Sequence, residues 1–174
     1  MNKLNIENLI FDELKEMLST VTDFDIGSFI DMLNAADNIV TIGAGRMGYS
    51  IKSFTMRLTH LGYNAYHLGD VGVPRTGEND LIIIASSSGE TKSNIILSQI
   101  AKEHGSKIAL FTCNPNSTIG KLADINICLK NIKSLQLMKT APEHATYMLY
   151  DIIAHKISEG RNISWIEHNH SILE

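Results

Sequence analysis

The chain has 174 residues, 44% hydrophobic and 20% charged, the composition of an ordinary globular domain rather than a disordered segment. Its formal net charge is -4 with a pI near 6.0, and its lysines and arginines are scattered, so no basic stripe points to nucleic acid as a partner. No apolar run reaches the roughly 20 residues that a bilayer crossing takes. Met1 to Asp12 lacks the unbroken apolar stretch of a signal peptide, and Cys113 and Cys128 show no metal-ligand spacing. These features predict one soluble cytoplasmic domain over residues 1–174, with reduced thiols, no membrane contact and no metal.

Leu4, Ile6, Leu9, Ile10, Leu14, Met17 and Leu18 are spaced as one face of a helix, and Asp23 or Asp25 would cap a second helix carrying Ile26, Phe29, Ile30 and Leu33. The two form a helical arm over about 1–36 that offers no chemistry of its own. Asn38–Ile42 then reads as a buried strand, followed by a helix bearing Met47, Ile51, Phe54, Leu58 and Leu61 that Gly62 ends. Asn64–Leu68 is a second strand and Asp80–Ala85 a third, with a helix from about Thr91 to His104 that turns Ile95, Ile96, Ile100 and Ala101 inward. Lys107–Thr112 is a fourth strand. A short helix near Ser117–Leu122 leads to a fifth, Asp124–Leu129. The last helix runs from Thr140 to about Ser158 with Ala145, Met148, Leu149, Ile152, Ile153 and Ile157 inward, and a tail completes the segment over about 140–174. Strands apolar on both faces that alternate with helices predict an α/β three-layer αβα sandwich. Its five-stranded parallel sheet takes most simply the flavodoxin-like order 2-1-3-4-5.

In that order strands 1 and 3 are neighbours whose connections leave in opposite directions, and open α/β sheets bind ligands in the crevice between such strands. The two most unusual loops of the chain follow these two strands. Gly43-Ala-Gly45-Arg46-Met47-Gly48 lets backbone approach a ligand and adds a cation. It also fits G-x-G-x-x-G, with Asp70 at the distance of a ribose ligand. Ser86-Ser-Ser88-Gly89-Glu90-Thr91 supplies four hydroxyls at a helix start, a composition suited to a phosphate. Ser87 and Glu90 also have capping-box spacing, but a cap needs one hydroxyl, so anion binding is the preferred reading. A dinucleotide fold would not need this second loop, and a small phosphorylated molecule fits better.

At these residues the chain resembles the sugar isomerase (SIS) domain family, whose phosphate loop Ser-x-Ser-Gly-x-Thr is matched by Ser86, Ser88, Gly89 and Thr91. It is most similar to the 6-phospho-3-hexuloisomerases within that family, through Gly43-Ala-Gly-Arg46, Met56-Arg-Leu58, His60-Leu-Gly62, Asn114-Pro115 and Lys121-Leu-Ala-Asp124. The resemblance implies a cofactor-free isomerase that moves a carbonyl along a phosphorylated hexulose, from D-arabino-3-hexulose 6-phosphate to fructose 6-phosphate, and assembles as a homotetramer. It assigns Glu143 as catalytic base and His170 in the tail as accessory acid/base. Gly45, Arg46, Ser86, Ser88, Gly89 and Thr91 would then bind the substrate and its phosphate. Thr140 and Glu143 also have capping-box spacing; the spacing leaves both readings open and the resemblance favours catalysis. His168 and His170 alone make a weak metal signal.

The chain departs from the family pattern at Met47, where serine is usual, and at Lys139, Ala141 and Pro142 ahead of the glutamate. These departures keep three alternatives open: a sugar-phosphate-binding module without turnover, an isomerase for another phosphosugar, and a nucleotide binder using the first glycine loop.

Overall fold

Five parallel strands, β1 (Ile39–Gly43), β2 (Ala65–His67), β3 (Leu81–Ala85), β4 (Lys107–Thr112) and β5 (Ile125–Cys128), pair in the spatial order 2-1-3-4-5. The computed structural model describes residues 5–138 and 140–159. Among the described residues six helices accompany the sheet: α1 (Ile6–Leu18), α2 (Asp23–Ala35), α3 (Gly45–His60), α4 (Lys92–Glu103), α5 (Thr118–Leu122) and α6 (Thr140–Ser158). The expected α/β order is therefore the observed one. His168, His170 and the rest of the tail lie outside the described residues, as does Lys139.

Alternation along the strands divides the core in two. Ile39, Leu81, Ile83, Ala109, Phe111 and Ile127 face the layer of α1, α2, α3 and α6. Val40, Ile42, Ile82, Ile84, Ile108 and Leu110 face α4 and α5. Burying each such isoleucine or leucine contributes about 1.5–3 kcal/mol, more than one loop hydrogen bond at about 1 kcal/mol, so packing fixes the sheet and the loops follow. None of the helices among the described residues is long and apolar enough to cross a membrane.

Three local expectations are corrected. Thr22, not Asp23 or Asp25, caps α2: its Oγ1 accepts from the Asp25 N–H at 3.1 Å while the Asp25 carboxylate accepts from the Thr22 N–H at 2.9 Å. On α4 the sheet-facing positions are Asn94, Ser98 and Ala101, leaving Ile96 and Ile100 exposed. Ser98 can face inward because its hydroxyl donates to the Asn94 carbonyl within the helix, whereas Asn94 Nδ2 is buried with no hydrogen-bond partner among the described residues. On α6, Ala145, Leu149, Ile153 and Ile157 are inward as expected, but Met148 and Ile152 form an outward stripe one residue off that face.

The first glycine loop is explained by packing. A Cβ on Gly48 would sit 2.8 Å from the Gly43 carbonyl oxygen, and one on Gly43 would sit 2.9 Å from the Gly48 Cα. The two glycines let α3 start directly against the end of β1. Asp70 has a structural partner as well: it pairs with Lys52 at 3.2 Å and accepts from the His67 N–H.

His67 ties β2 to β1 and α3. The Thr55 hydroxyl donates to the Ile51 carbonyl, so Thr41 must donate to Thr55 at 2.6 Å and accept from His67 Nδ1–H at 2.9 Å. Burial lowers the His67 pKa below its ordinary value, Lys52 acts in the same direction and Asp70 opposes. Between the lowered folded pKa and the unfolded value of 6.5, the unfolded chain binds the additional proton, so stability falls as pH falls through that window. The urea midpoint of the native chain should drop between pH 7.5 and pH 5.5, and His67→Gln should flatten that slope; an unchanged slope would contradict this account.

Candidate active site

The ends of β1 and β3 are level, with Gly43 paired to Ala85, so the two unusual loops leave from one edge of the sheet and diverge to opposite faces. Gly45 opens α3 with φ 56°, and the cap residue Ala44 offers no side-chain hydrogen bond to the helix start. Thr91 caps α4, likewise without a side-chain hydrogen bond. Two helix starts with amides free of side-chain caps therefore flank one crevice, an arrangement that favours an anion.

The second loop is built from within. The Gly89 N–H donates to Ser86 Oγ at 3.1 Å, the Ser86 and Thr91 hydroxyls stand 3.3 Å apart, and the Glu90 N–H donates to Ser88 Oγ at 3.2 Å. Ser86 is buried, and Ser87 and Ser88 line the crevice. The Ser87–Glu90 capping box, the competing reading of that spacing, does not form. Glu90 instead accepts from the Thr118 N–H at 2.8 Å at the start of α5, and that bond holds its carboxyl below the ordinary pKa. Gly89 is obligatory on two counts: its φ is 64°, and a Cβ there would lie 1.9 Å from Ser117 Oγ. The loop is also tied to the extension of β4, where the Cys113 N–H and the Thr112 hydroxyl donate to the Ser87 carbonyl and Asn114 Nδ2 donates to the Ser88 carbonyl.

Glu143 enters from the first turn of α6. Thr140 does not form a capping box with it, because the Thr140 hydroxyl donates to the Leu137 carbonyl at 2.6 Å. The Glu143 carboxylate turns to α3, where its Oε2 lies 2.6 Å from Arg46 Nε. Oε2 is enclosed, yet no N–H is aligned with it, so this is a charge contact rather than a directed hydrogen bond. With Arg46 63% exposed, such a pair adds at most about 1 kcal/mol to stability. Its consequence is placement: a cation and a carboxylate meet at the crevice. Arg46 Nη2 also lies 3.4 Å from His144 Nε2.

Two turns further along α6, Tyr150 stacks on Phe54 of α3 at 4.4 Å with 7° between the rings, and meets Phe111 of β4 edge-on at 5.1 Å. Aromatic pairs of this kind add about 0.5–1.5 kcal/mol each beyond burial, which anchors the helix that presents Glu143. Burial pushes the Tyr150 phenol well above its ordinary pKa, so it stays neutral.

Two depressions share the start of α6 as a wall. One, of ≈ 370 Å³, is lined by Ser87, Ser88, Asn114, Ser134, Met138 and Pro142; the other, of ≈ 350 Å³, by Arg46, Tyr49, Ser50, Glu143, His144 and Tyr147. A further depression of ≈ 390 Å³ opens at the amino ends of the strands beside Asp80 and Asp124. Both carboxylates there are already committed, to Asn38 and Gly77 and to Lys102, Lys107 and Ile108.

Gly45, Arg46, Ser86, Ser88, Gly89, Thr91 and Glu143 thus all lie at one end of the sheet. Met47 does not join them: its side chain is buried in the core beneath α3. Ala141 is buried there too, while Pro142 lines the crevice. Sequence reasoning did not assign Asn114, Ser134, Met138, His144, Tyr49 or Tyr147 to the site. Asn114 follows a strand end at the same edge and carried that signal; the others depend on how α3 and α6 pack.

The sequence matches the SIS domain over residues 32–156. The chain belongs to the SIS domain family. It is 35% identical over 163 residues to the 3-hexulose-6-phosphate isomerase of Bacillus subtilis (strain 168), with 88% of each chain covered. To the 3-hexulose-6-phosphate isomerase of Methanocaldococcus jannaschii it is 32% identical over 139 residues, covering 79% of this chain and 77% of that one. Among solved structures, a hypothetical protein from Methanococcus jannaschii, for which a molecular function of 3-hexulose-6-phosphate isomerase has been inferred, superposes with a TM-score of 0.87 at 27% identity. That match covers 98% of this chain and 100% of the other.

The conformation of Gly89 generates a test within this SIS domain. Gly89→Ala should lower the thermal midpoint by several degrees and speed hydrogen exchange across residues 86–91. Wild-type behaviour in both measurements would show that the loop is not held as described.

Proposed function

We propose that the chain is a phosphosugar isomerase that interconverts D-arabino-3-hexulose 6-phosphate and fructose 6-phosphate. The observation that carries this reading is the grouping, at the carboxyl ends of the strands, of a hydroxyl-lined loop, two helix starts without side-chain caps, and the Glu143–Arg46 pair, in two depressions that share the start of α6 as a wall. The similarity to 3-hexulose-6-phosphate isomerases supports a hexulose phosphate as the phosphosugar in this reading.

In this proposal the Ser86–Thr91 loop and the start of α4 receive the phosphate, which fixes the sugar chain along the crevice. Glu143 removes the proton from C2 of the 3-ketose. The C2–H electron pair becomes the C2–C3 double bond of a 2,3-enediolate, and the C3 carbonyl pair moves onto oxygen. Arg46, beside Glu143, stabilises the negative oxygen as it forms, since a cation already in place where charge develops lowers the barrier. Return of a proton to C3 and loss of the hydroxyl proton at C2 complete fructose 6-phosphate. Moving a proton between the two oxygens is the task proposed for His170 on the family resemblance, histidine being the side chain whose ordinary titration range lies nearest neutral pH. The scheme draws on no cofactor. Because Met47 packs into the core, its replacement of the usual serine leaves the hydroxyls of the second loop in place.

Glu143→Gln keeps the shape of the side chain and removes the base. With the fold intact by circular dichroism, kcat should fall by about 10²–10⁴, the usual contribution of a positioned general base, while KM changes little. Near-normal turnover by the folded variant would remove Glu143 from this role.

A further inference from the structure

Glu13 lies on the face of α1 that packs toward α6, is only 7% exposed, and takes no part in the chemistry proposed above. Its carboxylate accepts three hydrogen bonds from the segment between β5 and α6: the Ser134 hydroxyl at 2.7 Å, the Leu135 N–H at 2.7 Å and Gln136 Nε2 at 2.9 Å. Burial pushes the Glu13 carboxyl upward, but the bonds from Ser134, Leu135 and Gln136 outweigh it and hold the pKa below the ordinary value. A charged acceptor therefore sits under this segment at neutral pH. The same helix holds the segment at its start: the Lys130 N–H donates to the Met17 carbonyl and Lys130 Nζ to Glu16, both at 2.8 Å.

A buried carboxylate is a costly way to pack a helix, and an apolar residue at position 13 would serve that purpose better. What the carboxylate adds is control of the backbone it binds. The segment it holds supplies Ser134 and Met138 to the cavity wall facing Ser87 and Ser88, and Pro142 and Glu143 follow within the next turn. Met138 has φ 56°, a left-handed conformation that persists only where the surroundings impose it.

We propose that Glu13 is a positioning residue for the active site: its buried carboxylate fixes residues 134–136, and through them the cavity wall and the entry of the helix that carries Glu143. The catalytic consequence rests on the isomerase reading; the ordering of the segment does not.

The test compares Glu13→Ala and Glu13→Gln with Ile108→Val, a core change on the far face of the sheet, all in the full chain and well below their melting temperatures. In hydrogen exchange read by mass spectrometry, Glu13→Ala should speed exchange in peptides spanning 131–138 at least tenfold while β1 to β4 stay within twofold of the native chain. Its kcat/KM should fall at least tenfold. Glu13→Gln retains an acceptor for the Leu135 N–H and should recover part of both effects. Ile108→Val should lower the melting temperature and produce neither. If Glu13→Ala fails to fold, the intermediate change expected for Glu13→Gln carries the test. Native exchange at 131–138, faster exchange spread evenly over the sheet, or a loosened segment with native kcat/KM would each overturn the proposal. A native chain that does not turn over the hexulose phosphate would sink the isomerase reading, and the exchange pattern would then decide the role of Glu13 by itself.

Discussion

The parallel register of β1 against β3 is the constraint on which the site depends. Residues pair one for one from Ile39 with Leu81 to Gly43 with Ala85, so both strands stop at the same level. From there α3 must cross to one face and α4 to the other, since right-handed crossovers leading to β2 and to β4 run in opposite directions. The crevice between the two helix starts needs no residue of its own to hold it open. A one-residue slip would exchange the two apolar faces of β1, placing Val40 and Ile42 in the α3 layer, and would separate the loops as well.

On this frame the two halves of the site are held in different ways. The Ser86–Thr91 loop is fixed by hydrogen bonds to neighbouring backbone: Gly89 to Ser86, Ser87 to the end of β4, Ser88 to Asn114, and Glu90 to the start of α5. The Glu143 side is fixed by packing, with the aromatic group of Phe54, Phe111 and Tyr150 locking α6 onto α3 and the sheet. In the proposed reading the first device suits a ligand with many acceptor atoms, because it fixes a hydroxyl-rich backbone beside the start of α4. The second suits a group that must keep its position while a proton moves.

Much of this was legible in the sequence. β1 and β3 were isoleucine-rich runs ending at Gly43 and just before Ser86, and the alternation of strands with helices allowed few sheet orders, so the 2-1-3-4-5 topology followed. The hydroxyl-rich loop stood out because a helix cap needs one hydroxyl and four were present. Capping partners were less legible. Glu90 had the spacing to close on Ser87 but is drawn to α5, and Thr140 had the spacing to meet Glu143 but bonds backward to Leu137. For Glu90 a tertiary neighbour displaced the local one, which spacing cannot show; for Thr140 the competing partner is itself local, the carbonyl three residues back. Helix rotation was lost for a similar reason: α4 and α6 each carry two apolar stripes, and period alone could not decide which faces the sheet. Glu13 did leave a trace, a carboxylate on the apolar face of α1 between Ile10 and Met17, but its partners lie more than 120 positions away.

The most direct test of the account is to give the purified protein D-arabino-3-hexulose 6-phosphate in D2O and follow the sugar by NMR. The account predicts protein-dependent formation of fructose 6-phosphate with deuterium entering at C3, the carbon that is reprotonated from the enediolate. No fructose 6-phosphate, while a control isomerase converts the same stock, would contradict it.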